Sequence, residues 1–272
     1  MATSSTTTPN TRQLALVTGA SSGIGFELAK QFAQNGFDLL IVSGGDRIHP
    51  AAAELKAQGA NVKAVEADLA THEGVHKLLE AIHSDGRQLD AAALNAGVGV
   101  SGRFLETDLG EELNMIALNV TSTVHIAKYI ARDMVARHSG RILFTASIAG
   151  TMPTPYETVY GATKAFVRSF SQGLREELKE TGVTVTALMP GATETDFFHR
   201  AGADDTKLGA SEKDDAAEVA KEGFEAMMAG KDHIVAGSFK NKMQAAAGYA
   251  LPDPLVAKAH ASMSEPRSAS KK

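Results

Sequence analysis

Cysteine is absent from the sequence, which excludes disulfides, thiolate nucleophiles and cysteine-ligated metal. Long apolar runs are missing too: nothing approaches the roughly 18 residues of a membrane-spanning helix, and the Ser/Thr-rich opening carries no apolar leader segment. A soluble cytoplasmic protein is therefore expected. Neither sign of charge is gathered into blocks, and the formal net charge is only -5. That balance argues against nucleic acid or an anionic membrane surface as a partner. There is no internal repeat. What is present is 43% hydrophobic content over 272 residues, enough for one large core, and an alternation of short apolar runs with helical patterns.

Residues 1–12 read as a disordered tail. Leu14 to Val17 is the first short apolar run, suited to a buried parallel strand. It runs into TGASSGIG (residues 18–25), which holds Gly19, Ser21, Ser22, Gly23, Ile24 and Gly25, and then into a helical pattern through Leu28, Phe32 and Ala33. Strand, glycine turn and helix follow in the order a phosphate site requires. Glycines let the backbone approach a pyrophosphate, and the helix start offers unpaired N–H groups and partial positive charge. A plain strand-to-helix turn is the bland alternative; three glycines in this context favour a nucleotide.

A second strand over residues 38–42 ends in Ser43, Gly44, Gly45, Asp46 and Arg47. An acid at that strand end would bind the ribose 2′-hydroxyl of NAD, and a base the 2′-phosphate of NADP. Ser43 and the glycines remove the repelling acid and Arg47 supplies a base, so the stretch leans to NADP(H), with NAD(H) the alternative. Asp46 and Arg47 could instead merely open the next helix. A third strand over 62–66 leads to Asp68 and Leu69, where the carboxylate suits an adenine amino group or a helix cap. A fourth strand, Leu89 to Leu94, ends in Asn95, Ala96 and Gly97, small or left-handed-capable residues that would let the backbone approach a ligand.

His72, Glu73 and His76 match the H-E-x-x-H pattern of zinc peptidases. They stand in a polar first turn with no obvious third ligand, so no metal is expected there. Asn119 sits among apolar neighbours in a long helical stretch, where an unpaired amide is costly and needs a partner or a function. Ser147 follows a fifth strand over residues 140–145, with no G-x-S-x-G to make it a hydrolase nucleophile. Thirteen residues later stand Tyr160 and Lys164, four apart and therefore on one helix face. A lysine cation at about 4 Å in an effective dielectric of about 20 is worth roughly 4 kcal/mol, enough to lower a phenol by about three pKa units toward working pH; taken alone, the pair fits better an ordinary helix in which Tyr160 caps the core and Lys164 reaches to water. A sixth strand over 183–189 ends at Pro190 and Gly191, followed by Thr193 and Thr195.

Taken together, TGASSGIG, Asp68-Leu69, Asn95-Ala96-Gly97, Asn119, Ser147, Tyr160-x-x-x-Lys164 and Pro190-Gly191-x-x-x-Thr195 resemble the short-chain dehydrogenase/reductase family over roughly residues 13 to 200. The resemblance implies a single α/β domain over 13–263 of Rossmann type, with about seven parallel strands in a three-layer αβα arrangement; residues 264–272 themselves read as a free, disordered polar tail. It implies an oxidoreductase that moves hydride between NADP(H), or NAD(H), and a ketone/secondary alcohol pair. In that reading Tyr160 is the general acid/base, Lys164 lowers its pKa and binds the nicotinamide ribose, Ser147 holds the substrate oxygen, and Asn119 keeps a proton-supplying water. The loop from Pro190 through Thr195 covers the nicotinamide. Residues 196–213, with Phe197, Phe198 and Leu208, suit a substrate lid. Val98, Val100, Phe104, Ile148, Met152, Pro153, Pro155 and Tyr156 suggest a pocket for a hydrophobic or aromatic carbonyl. Helices over 119–137 and 160–179 would form a homodimer or homotetramer interface. A redox sensor that binds the dinucleotide without turnover, and less readily a zinc peptidase, are the competing readings.

Overall fold

The computed structural model describes residues 12–270. Residues 1–11 of the expected N-terminal tail, and residues 271 and 272 of the C-terminal one, lie outside the described residues. The strands are β1 (Gln13–Thr18), β2 (Phe37–Ser43), β3 (Val62–Glu66), β4 (Ala91–Leu94), β5 (Gly140–Thr145), β6 (Val183–Pro190) and β7 (His233–Ala236). They form one parallel sheet in the order β3-β2-β1-β4-β5-β6-β7. Helices α1 (Gly23–Gln34), α2 (Ile48–Ala57) and α3 (His72–Asp85) connect the first four strands. Then come α4 (Leu109–Ile116), a π-helical turn (Ala117–Ser122), α5 (Thr123–Ala136), a 3-10 turn (Ile148–Thr151) and α6 (Thr158–Leu178). The last part holds α7 (Phe197–Arg200), α8 (Ala216–Met228), α9 (Phe239–Ala250), α10 (Asp253–Ser264) and a 3-10 turn (Ser268–Ser270).

Strand side chains alternate between two cores. Leu14 and Leu16 join α3, α5 and α6 through Val75, Ile126 and Val167, whereas Ala15 and Val17 join α1, α2 and α8 through Leu28, Leu55 and Val219. Helices on both faces explain why the strands read as continuous apolar runs with no polar side. The result is the doubly wound, three-layer α/β architecture expected from the sequence. Strands step outward from β1 to β3, and the chain then returns to lay β4 on the other side of β1. At that reversal the connections leave in opposite directions and a crevice opens beyond the C-terminal strand ends.

Four features differ from expectation. Arg12, assigned to the tail, is tied down: its guanidinium donates to the carbonyls of Ala33, Phe37 and Gly59 and pairs with buried Asp38 at 3.3 Å. The helix around Asn119 is not uniform; it widens into a π-helical turn that contains Asn119, and such turns are frequent at functional sites. The region after β7, whose Pro252, Pro254 and Ala-rich helical stretch read in sequence as less regular than what precedes them, forms two helices, α9 and α10. Finally, residues 264–270 are not a free tail. Ser264 and Ser268 are buried, the Lys207 N–H donates to the Ser268 hydroxyl at 2.8 Å, and the Ala269 N–H donates to the Asp205 carbonyl. Short polar residues of this kind read as solvated in sequence, yet they satisfy the backbone of a loop some sixty residues away.

Candidate active site

A cavity of about 850 Å³ occupies the crevice. Its floor is the turn between β1 and α1. Ser22 caps α1 without a side-chain hydrogen bond, and the first turn of α1 holds no acid, so its free N–H groups face an uncompensated anion position. A Cβ at Gly25 would lie 2.2 Å from the Gly19 carbonyl oxygen, so only glycine lets the helix seat this closely on the turn. Gly19, Ser21, Ser22, Gly23 and Ile24 line the same cavity. These are the features a pyrophosphate needs, and the residues present fit a dinucleotide.

At the adjoining end, the Ser43 hydroxyl meets that of Ser21 at 2.9 Å, joining β2 to the glycine turn. Asp68 and Leu69 line the wall, and Asp68 accepts the Ala70 N–H while Thr71, not Asp68, caps α3. Arg47 reaches across the crevice mouth to Asp196, 2.9 Å away, with both side chains about half exposed. The arginine thus bridges the β2 end and the segment that follows β6.

Asn95 differs from expectation in how it works. Among the described residues only His138, Tyr156 and Arg267 are non-glycine residues with positive φ, so Asn95 is not left-handed. Its amide instead ties three strand ends together. The Asn95 and Ala96 N–H groups donate to the Thr18 hydroxyl at 2.9 Å, its side chain donates to the Thr18 carbonyl, and the Thr145 hydroxyl donates to its Oδ1. Gly97 follows where a Cβ would stand 3.1 Å from Asn119 Oδ1 and 3.3 Å from Lys164 Nζ.

Asn119 is 2% exposed, and its amide oxygen and both amide protons are engaged. Oδ1 accepts the Val98 N–H at 3.0 Å, and Nδ2 donates to the Val98 carbonyl and the Thr163 hydroxyl. It does not itself line the cavity, but it fixes the segment that does. Ser147, at the end of β5, accepts the Ala149 N–H and hydrogen-bonds Tyr160. Burial pushes the Tyr160 phenol above its ordinary pKa of 10, the nearby Glu157 charge pushes it further, and the Ser147 bond pulls part of the way back. The ring is only half-buried where it lines the cavity, so water there moderates the rise.

Lys164 shares the cavity with Tyr160 and has a second anchor. Its Nζ lies over the Tyr160 ring, 5.8 Å from the centroid, and donates to the Thr145 carbonyl at 2.9 Å. Burial alone lowers its pKa to about 8. In this structure burial outweighs any other influence on the phenol, so its net shift is upward rather than the lowering expected from a lysine alone. The lysine is held by the sheet rather than by the tyrosine.

Pro190, Gly191, Thr193 and Thr195 form the far wall. Thr195 accepts the Phe197 N–H at 3.2 Å at the start of α7, and Phe197 packs 5.2 Å from the Tyr160 ring. Phe197, Phe198 and Leu208 all line the cavity, as do Val98, Ile148 and Met152. Val100, Phe104, Pro153, Pro155 and Tyr156 are not among the lining residues, and Phe104 is 59% exposed. Their place is taken by Glu157, Asn241, Gln244 and His260, which sequence reasoning missed. Asn241 is anchored to Asp214 and to the Ala236 carbonyl, and a Cβ on Gly191 would strike it at 2.2 Å. His72 and His76 lie on α3 away from the cavity, with ring centroids 4.5 Å apart, and no group of three or more ligating side chains among the described residues is arranged to hold a metal.

A family model described as short chain dehydrogenase matches residues 13–206. An uncharacterised oxidoreductase from Staphylococcus epidermidis is 33% identical over 184 residues, covering 67% of this chain and 79% of that one. A short-chain dehydrogenase from Sphingobium yanoikuyae in complex with NADPH superposes with a TM-score of 0.77 at 32% identity, covering 82% of this chain and 87% of that one. The bulky-bulky ketone specific alcohol dehydrogenase from Comamonas testosteroni gives a TM-score of 0.73 at 28% identity, with 83% and 86% covered. The glycine turn, the sheet order and these matches agree: the chain belongs to the short-chain dehydrogenase/reductase family and is a nicotinamide-dependent oxidoreductase.

Proposed function

We propose that the protein transfers hydride between NADP(H), or NAD(H), and a bulky hydrophobic ketone or its secondary alcohol, with Tyr160 as general acid/base. The observation that carries this reading is the meeting of Tyr160, Ser147 and Lys164 in the cavity that also holds the uncapped start of α1. When bound, the nicotinamide supplies or accepts the hydride. Tyr160 donates a proton to the carbonyl oxygen in reduction and takes it back in oxidation. The Ser147 hydroxyl bonds the same oxygen and holds it against the phenol. Lys164, held by the Thr145 carbonyl, reaches the nicotinamide ribose and lends positive charge to a phenolate as it forms. Asn119 holds Val98 and Thr163 in place beside it and, by the family resemblance, keeps the water that returns protons.

Gly19, Ser21, Ser22, Gly23, Ile24 and Gly25 cradle the pyrophosphate. Ser43, Arg47, Asp68 and Leu69 receive the adenosine half, Asn95, Ala96 and Gly97 pass beneath the cofactor, and Pro190, Gly191, Thr193 and Thr195 cover the carboxamide. Arg47 and the lack of an acid at the end of β2 favour NADP(H), in keeping with the NADPH-bound Sphingobium relative. The apolar side chains of Ile148, Met152, Phe197, Phe198 and Leu208 suit a bulky apolar substrate, in keeping with the ketone specificity of the Comamonas relative. Assembly as a homodimer or homotetramer through α5 and α6 belongs to the same reading and is supported by half-exposed Tyr129 and Phe166.

The test follows nicotinamide absorbance across a panel of ketones and alcohols with NADH and NADPH in parallel. Tyr160→Phe is expected to abolish turnover and leave cofactor affinity within about threefold, because the phenol bonds substrate rather than cofactor. A variant that keeps most of the wild-type rate removes Tyr160 from the mechanism. Tight cofactor binding with no turnover by the wild type would favour the redox-sensor alternative.

A further inference from the structure

On one side of the cavity, away from the glycine turn, stands an ionisable pair that the hydride-transfer reading does not use. Glu157 is 5% exposed and lies one turn before Tyr160, close enough for its charge to act on the phenol. His260 comes from α10, more than a hundred residues later. Its Nε2 meets Glu157 Oε2 at 3.2 Å and the hydroxyl of Ser264, itself 1% exposed, at 3.0 Å; that hydroxyl also reaches Glu157 Oε2 at 3.4 Å. Both Glu157 and His260 line the cavity. Their side chains are 6% and 11% exposed, so the pair is largely withdrawn from bulk water yet opens on the space that receives substrate.

The hydrogen-bonding capacity of the pair is only half used. Among the described residues, neither Glu157 Oε1 nor His260 Nδ1 has a hydrogen-bond partner, neither atom is fully buried, and both residues line the cavity. In the neutral tautomer whose Nε2 proton is directed at the carboxylate, both open atoms are acceptors. A substrate group that complements them must donate. A carboxylate would be repelled by Glu157, and an ammonium would give up far more hydration than a hydroxyl on entering a cavity that Phe197, Phe198 and Leu208 also line. A hydroxyl meets the requirement without either cost.

We propose that Glu157 and His260 bind a hydroxyl group on the substrate, separate from the reacting carbonyl, so that the natural substrate is a bulky apolar hydroxyketone or the corresponding diol. Glu157 precedes Tyr160 by about one helical turn, ~5 Å along the axis, which places that hydroxyl about three to five carbons from the carbonyl. The inference rests on the hydride-transfer reading and adds a substrate class to it. It also gives α10 a purpose, since that helix carries His260 back to the start of α6.

The experiment compares kcat/KM for three matched ketones with NADPH: one bearing a hydroxyl about four carbons from the carbonyl, its deoxy analogue and its methyl ether. Wild-type enzyme is expected to prefer the hydroxyketone over the deoxy ketone by about tenfold or more, and the methyl ether, which cannot donate, is expected to gain nothing. His260→Leu is expected to bring the ratio close to one, and His260→Gln, which retains an acceptor, to hold part of it. The ratio rather than the absolute rate is the readout, so a general loss of activity does not imitate the effect. Because α10 docking could suffer in the leucine variant, Glu157→Gln serves as a second probe, expected to lower the ratio by about threefold or more while an amide still meets His260. Wild-type turnover with no hydroxyl preference, or a preference that survives both His260→Leu and Glu157→Gln, overturns this proposal and leaves the hydride-transfer reading standing. No turnover on any of the ketones overturns both.

Discussion

Replacing Lys164 by methionine should make the cofactor-free protein more stable. The lysine is 6% exposed, and its burial lowers the pKa from the ordinary 10.5 to about 8. At about 1.4 kcal/mol per tenfold change in proton affinity, keeping that ammonium charged inside the fold costs about 3 kcal/mol. Methionine has a similar length and no charge to desolvate, but it leaves the Thr145 carbonyl without its donor, a loss of about 1 kcal/mol. The net gain near neutral pH is therefore about 2 kcal/mol. Its pH dependence is the sharper test. Below about pH 8 the lysine is protonated both folded and unfolded and the whole penalty is present. Between about 8 and 10.5 the unfolded chain binds more protons than the folded one, so wild-type stability rises with pH; above that range the penalty is gone. Urea unfolding of both proteins, followed by circular dichroism at intervals from about pH 7 to 10.5, gives the difference directly. The advantage of the methionine variant should shrink across that window. A difference that stays flat, or a variant that is less stable near neutral pH, refutes the claim that Lys164 is a strained, desolvated cation.

The remaining predictions concern the cofactor and the scaffold. Arg47→Ala should weaken NADPH binding by about 10- to 30-fold and NADH binding by less than about threefold, measured by fluorescence titration, since a guanidinium pairs with the 2′-phosphate more strongly than with half-exposed Asp196. Equal losses for the two cofactors would show that Arg47 has no part in the choice. Asn119→Ala removes one acceptor and two donors from the Val98 backbone and Thr163, and should lower unfolding stability by about 2–4 kcal/mol. A change below about 0.5 kcal/mol would mean that the π-helical turn holds this segment without the amide.

What can be read from sequence is what is local. The strands announce themselves because both faces of the sheet are covered, and the glycine turn, Ser147 and the Tyr160–Lys164 pair, each weak alone, announce themselves by standing in register along alternating strands and helices. Where a side chain reaches is another matter. Four residues of helix put Lys164 beneath Tyr160, but the long lysine stem carries Nζ to the Thr145 carbonyl, a partner 19 residues earlier in the chain. Asn95 reads as a turn former, yet its amide bonds Thr18, 77 residues away. The substrate pocket is the least legible part. Neighbours in sequence such as Pro153, Pro155 and Tyr156 turn elsewhere, while α9 and α10 return Asn241 and His260 to the cavity. No periodicity in a helix announces which distant strand end it will cover.

The shared family pattern stops at residue 206, but the cavity wall continues through Leu208, Asn241, Gln244 and His260. Part of the cavity wall, from Leu208 onward, thus lies on a length of chain outside that pattern, while Ile148, Met152, Phe197 and Phe198 lie within it. Substitutions in the closing quarter of the sequence can therefore reshape one side of the cavity while leaving the glycine turn and the Tyr160–Lys164 pair untouched.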